Sequence, residues 1–130
     1  MMMLRSILLV AAGGALGSAG RFVLSRLVQE GVATAFPIAT FVVNIVGCFV
    51  IGLVYGLSAR GNAMGDGVKL LLTTGFCGGF TTFSTFCNEG VSLVRSSSHT
   101  LALAYAMGSV AVGFAAVFAG MWAASKAGMD

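Results

Sequence analysis

Apolar residues along this chain neither alternate nor mark a single helical face; they run on through whole segments. Four such stretches occupy residues 7–28, 38–58, 68–94 and 100–124. A bilayer core of about 30 Å takes about 20 apolar residues to cross as a helix, so each stretch predicts one membrane span. The segments between them are short: one leads up to Pro37, the second contains RGNAMGDG over residues 60–67, and the third reads RSSSH over residues 95–99. Turn residues crowd the second and third, and Pro37 is well placed at a helix start. The pattern predicts an all-α membrane protein, a single domain over residues 1–130 with four spanning helices and no internal repeat. The N-terminal stretch shares features with a secretory signal: Arg5, then an apolar run, then small residues at Ala15, Ser18 and Gly20. It is read as a retained helix, because the apolar run continues through Phe22, Val23, Leu24, Leu27 and Val28.

Small residues recur four apart in every span: Gly13 and Gly17, Gly52 and Gly56, Gly75 and Gly79, Ser109 and Gly113. Lipid supplies no hydrophobic force between helices, so association relies on small faces that let backbones approach. These spacings predict close packing and say little about function.

Composition narrows the function. Of the residues, 58% are hydrophobic and 8% charged, where soluble domains carry about 25% charged residues. With a mean hydropathy of +0.99, disorder is excluded. Four spans leave no room for a soluble active site or a nucleotide-binding domain, and a net charge of +3 is no nucleic-acid-binding patch. Cys48, Cys77 and Cys87 all lie in apolar stretches without a CxxC pair, which suits buried thiols. The cations give almost no orientation bias: Arg5, Arg60, Lys69 and Lys126 share one side, against Arg21, Arg26 and Arg95 on the other. Orientation normally follows an excess of Lys and Arg on the cytoplasmic side. A chain so balanced inserts either by a narrow margin or both ways, and in the second case its natural partner is an inverted copy of itself.

Polar groups at membrane depth are costly unless paired, packed or functional. On the first helix Ser18, Arg21 and Ser25 share a face; Arg21 either snorkels, enters an ion pair or attracts an anion. On the second, Thr40, Asn44, Gly47 and Ile51 form a face, where the Asn44 amide caps a broken neighbour, touches an ion or serves as interhelical glue. The third stretch carries the strongest signal, LLLTTGFCGGFTTFSTFCNEG over residues 70–90. Gly75, Gly78 and Gly79 weaken the helix ahead of the hydroxyls of Thr81, Thr82, Ser84 and Thr85. A break at mid-membrane frees backbone groups, which is tolerated only where they are buried in protein or line a cavity, and broken helices of this kind form ion sites; the alternative is an uninterrupted glycine-bearing helix, since Gly is common in spanning helices. Phe83 and Phe86 then share a face and can turn electropositive ring edges toward an anion. Glu89 lies near that face, placed either to pair with Arg21 or to exchange protons. On the fourth helix Tyr105, Ser109 and Gly113 align as a track that is either packing or pore lining.

Three segments in order, GGALGSAGRF at residues 13–22, PIATFVVNIVG at 37–47 and GFCGGFTTFSTF at 75–86, resemble the Fluc (CrcB) fluoride-channel family. The resemblance implies a passive, fluoride-selective channel and not an enzyme, exporting fluoride from the cytoplasm for detoxification across the bacterial inner membrane. It implies an antiparallel, dual-topology homodimer of four-helix subunits with the third helix broken mid-membrane, two antiparallel pores and a structural sodium ion (Na+) at the centre. By motif, Gly78 and Thr81 would supply backbone carbonyls to sodium. Phe83 and Phe86 would be the pore phenylalanines, Asn44 a pore-lining amide, Thr82 and Ser84 hydroxyls near the break, Tyr105 and Ser109 the fourth-helix track, and Arg21 a residue near a pore entrance. Ser18, Phe22 and Ala39 depart mildly from the family pattern, and Gly113 stands where some members carry a second serine. Two other classes compete. A proton-coupled exporter of the small multidrug-resistance kind needs an early membrane carboxylate, which the first two spans lack; a non-transporting scaffold subunit leaves GFCGGFTTFSTF unexplained.

Overall fold

The computed structural model describes residues 2–59 and 64–127. Its elements are α1 (Met2–Gly31), α2 (Ile38–Ala59), α3 (Asp66–Leu70) running into a π-helical segment (Leu71–Cys77), α4 (Gly78–Phe80), α5 (Phe83–Arg95) and α6 (His99–Ala127). Four helical units are long and apolar enough to cross a membrane, the third spanning Asp66–Arg95. Each outruns its apolar stretch, the second by one residue and the others by several, because flanking residues such as Arg5 and Ser6 are compatible with helix. Arg60 and the rest of the first half of the RGNAMGDG turn, residues 60–63, lie outside the described residues.

The helix ends have local causes. The Pro37 carbonyl accepts from the Phe41 amide at 3.1 Å, opening α2. At the end of α5, Ser98 N–H donates to the Leu93 carbonyl and Ser97 N–H to the Val94 carbonyl. That pair is a Schellman closure, with Ser97 at φ 64° in the left-handed position. It turns the chain directly into α6.

Packing divides the bundle into two pairs, α2 against α6 and α1 against the π segment and α4. Backbones meet at glycines in both. A Cβ on Gly17 would run into the Phe76 carbonyl oxygen, and one on Gly120 into that of Phe49. Few side chains are fully buried, Tyr105 and Val43 being the largest, while Phe114, Phe118 and Trp122 on α6 are mostly exposed. An apolar exterior over a thin core is what a bundle solvated by lipid requires.

The third span differs from its sequence expectation in where the regular backbone stops. Its glycines do not stop it: the chain stays helical through Phe80, widened to π geometry over Leu71–Cys77. Gly75 and Gly79 are instead taken up in the approach to α1, where a Cβ on Gly79 would lie 2.6 Å from the Gly14 carbonyl oxygen. The helix ends one step later, at Thr81 and Thr82, whose backbones are extended (φ −90°, ψ 162° and φ −149°, ψ 117°).

Candidate functional site

Thr81 closes the first half of the third span. Its N–H and its hydroxyl both donate to the Cys77 carbonyl, at 3.0 and 2.8 Å. Thr82 opens the second half as an N-cap, its hydroxyl oxygen accepting from the Thr85 amide at 3.3 Å. Between these caps the backbone groups of the break need partners from elsewhere, and two side chains supply them. Asn44 on α2 accepts from Thr82 N–H through Oδ1 at 2.8 Å and donates from Nδ2 to the Thr82 carbonyl at 3.1 Å. Arg21 on α1 donates from Nε to the Gly79 carbonyl at 3.1 Å. One turn along α2, Gly47 leaves room for the Thr81 methyl, which a Cβ there would strike.

Downstream of the break runs a row of rings. Phe83 and Phe86 lie 5.9 Å apart between centroids, Phe86 and Tyr105 5.0 Å, and Tyr105 and Phe36 5.3 Å with planes at 84°. Tyr105 is completely buried, and its hydroxyl donates to Glu89 Oε1 at 3.0 Å. A buried hydroxyl bonded to a carboxylate oxygen fixes both groups at the middle of the row.

Two cavities lie along the row. One, of about 540 Å³, is lined by Asn44, Gly78, Thr81, Thr82, Phe83, Phe86 and Ser109 among others. The second, about 490 Å³, is lined by Phe36, Glu89, Ser92 and the turn serines Ser96 and Ser98. In the wall of the first, Ser109 Oγ is buried without a hydrogen-bond partner among the described residues. A buried hydroxyl normally finds a partner, and this one sits unmet in the wall of the cavity.

Most of the residues singled out from sequence therefore converge. Asn44, Thr82, Phe83, Phe86 and Ser109 share the first cavity with Gly78 and Thr81, and Tyr105 joins them through Phe86. Ser84 is exposed and is not among the lining residues of either cavity. Arg21 and Glu89 do not meet within the subunit; each is bound to a different partner. Phe36 escaped the sequence reading because it sits in a loop, where no periodicity marks it, and only its neighbour Pro37 hinted at a fixed position. The π segment also left no recognisable sequence signal.

Among the described residues no three His, Cys, Asp or Glu side chains gather into a metal site. A metal at the break would rely on backbone oxygens, and these suit a hard cation. Thr82 N–H, the helical partner of the Gly78 carbonyl, is diverted to Asn44. The Thr81 carbonyl precedes the N-cap of α5 and so lies outside its hydrogen-bond ladder. Two carbonyls from one chain are too few for such an ion, and a symmetry-related copy would double them.

The model of CrcB-like (camphor resistance) proteins matches residues 8–121. A protein of Azobacteroides pseudotrichonymphae named fluoride-specific ion channel FluC is 46% identical over 119 residues, covering 91% of this chain and 94% of the relative. Proteins of the same name from Phocaeicola vulgatus and Chlorobaculum tepidum are 43% and 44% identical, each over 92% of this chain and over 98% and 94% of their own lengths.

Proposed function

The chain belongs to the CrcB family, and from that premise we propose that it is a fluoride-selective channel through which the ion leaves the cytoplasm passively. It is a multi-pass membrane protein and not an enzyme, in keeping with relatives named as ion channels. The observation that carries the pore assignment is the cavity beside the break, where Asn44, Thr82, Phe83, Phe86 and Ser109 come together. Fluoride is small and tightly hydrated, so a selective path must replace its water with donors held in place, yet bind it weakly enough to release it. Ser109 adds to the cavity wall an O–H with no acceptor among the described residues, and the rings offer positive edges. Asn44 contributes by holding the break that sets where Phe83 begins. Beyond Phe86, Tyr105 and Glu89 form the next polar station. Hydrogen fluoride crosses membranes as a neutral acid and dissociates inside, so a passive exit suffices for detoxification and no nucleotide is needed.

The working unit is an antiparallel, dual-topology homodimer in the bacterial inner membrane, with two pores. Supporting this are the balanced cations and an aromatic ring, Phe83, that is 76% exposed on the cavity side of the subunit. A second copy would cover such a ring. Gly78 and Thr81 of both copies would hold a sodium ion, which when bound supplies positive charge beside the anion path. The proton-coupled exporter and scaffold readings find no support in relatives named as ion channels.

The test is efflux from proteoliposomes loaded with potassium fluoride, valinomycin balancing charge, with a chloride-loaded control. Fast fluoride release without chloride release is expected. No release from assembled dimers would overturn the reading.

A further inference from the structure

The Gly79 carbonyl is the weak point of the broken span. In a continuous helix it would accept from the N–H of residue 83. Phe83 is the first residue of α5, beyond the two extended threonines, and that ladder is interrupted. Arg21 fills the gap with Nε, at 3.1 Å, across 58 positions of sequence. The contact belongs to a broader approach, in which Gly14, Gly17 and Ser18 of the same face lie against Phe76, Gly79 and Phe80. Arg21 is half-buried and is not among the lining residues of either cavity. The geometry points to Arg21 as a positioning residue, one that serves the anion path through its Nε–H bond to the break and not through its charge at a pore entrance. With Asn44 it pins the break from both sides, Arg21 just before the extended residues and Asn44 on Thr82. This inference rests on the channel reading for its flux test alone.

The donor atom makes the proposal separable from an electrostatic role. The Nε2 of glutamine stands as many bonds from the backbone as the Nε of arginine, so Arg21→Gln keeps an N–H in place and deletes the charge. Arg21→Met puts a methyl group there and loses both, while Arg21→Lys keeps the charge but puts a methylene where the donor was. The experiment compares fluoride efflux per assembled dimer, and the thermal unfolding midpoint in detergent, for the three variants and the parent. Arg21→Gln is expected to stay within about threefold of the parent while Arg21→Met and Arg21→Lys fall about tenfold or more, the size expected for losing a hydrogen bond from a charged donor. Unfolding midpoints should follow the same order. Parental flux in Arg21→Lys with loss in Arg21→Gln would overturn the proposal in favour of charge. Equal loss in all three, or parental flux in all three, would overturn it as well. Should the parent itself pass no fluoride, the channel reading fails, and the order of the unfolding midpoints still decides whether the Nε–H bond holds the break.

Discussion

Asn44 bonds both backbone polar groups of Thr82, accepting from its N–H at 2.8 Å and donating to its carbonyl at 3.1 Å. The side-chain amide thus does for one extended residue what a neighbouring strand would do. The broken ladder supplies no partner for those two groups, and Asn44 provides both.

Replacing Asn44 by Ala should therefore cost about 1–3 kcal/mol, the worth of two hydrogen bonds at a part-buried site. Asn44→Asp keeps an acceptor for Thr82 N–H but sets a carboxylate against the Thr82 carbonyl and beside an anion's path. Unfolding of the purified dimer should show the larger stability loss for Ala, and liposome efflux should show flux reduced at least about tenfold for Asp, a penalty the size of one charge-assisted hydrogen bond. Normal flux from Asn44→Asp would remove Asn44 from the path.

Phe83 and Phe86 should differ in what they contribute to stability. Phe83 is 76% exposed within the subunit, whereas Phe86 packs on the buried Tyr105 ring at 5.0 Å. Phe83→Ile should leave the subunit's own stability within about 0.5 kcal/mol of the parent, as for other exposed positions. Phe86→Ile should cost about 1 kcal/mol, the worth of an aromatic pair. Both should depress fluoride efflux while gel filtration still shows a dimer, and retained flux in the double variant would count against the ring edges as the anion's contacts.

Tyr105→Phe deletes the only atom by which that buried ring reaches Glu89. The expected loss is about 1.5–3 kcal/mol, as for hydrogen bonds to charged groups, together with slower efflux. Glu89→Gln keeps an acceptor for the tyrosine hydroxyl, and chemical unfolding should place its cost below that of Tyr105→Phe. The reverse order would mean that the hydroxyl is not what holds Glu89.

The glycine contacts give a prediction independent of any ion. Gly17→Ala forces a Cβ onto the Phe76 carbonyl oxygen, while Gly108→Ala meets nothing within 4 Å. Overpacking of this kind costs about 1–3 kcal/mol, so Gly17→Ala should lower the unfolding midpoint of the detergent-solubilised protein and Gly108→Ala should not. Equal midpoints would mean that α1 can move away from the third span without loss.

The sequence by itself determined that four helices cross a membrane, because an unbroken apolar run needs no knowledge of its neighbours. It also singled out Asn44, the Thr81–Thr82 region and the Phe83–Phe86 pair, since a lone amide, adjacent hydroxyls and rings three apart are local features with local meaning. Tertiary structure alone decided that Gly75 and Gly79 serve contact with α1 and that the helix stops at the threonines instead. It decided too that Arg21 ends on Gly79, that Glu89 ends on Tyr105, and that Phe36 extends the aromatic row. Each of these depends on which helix lies against which, and small-residue spacings present in all four spans cannot choose among the pairings. A glycine's weak helix propensity is a local preference that packing can override; here Gly75 and Gly79 pack against α1 and stay helical, and the break falls at residues whose backbone groups other helices bond.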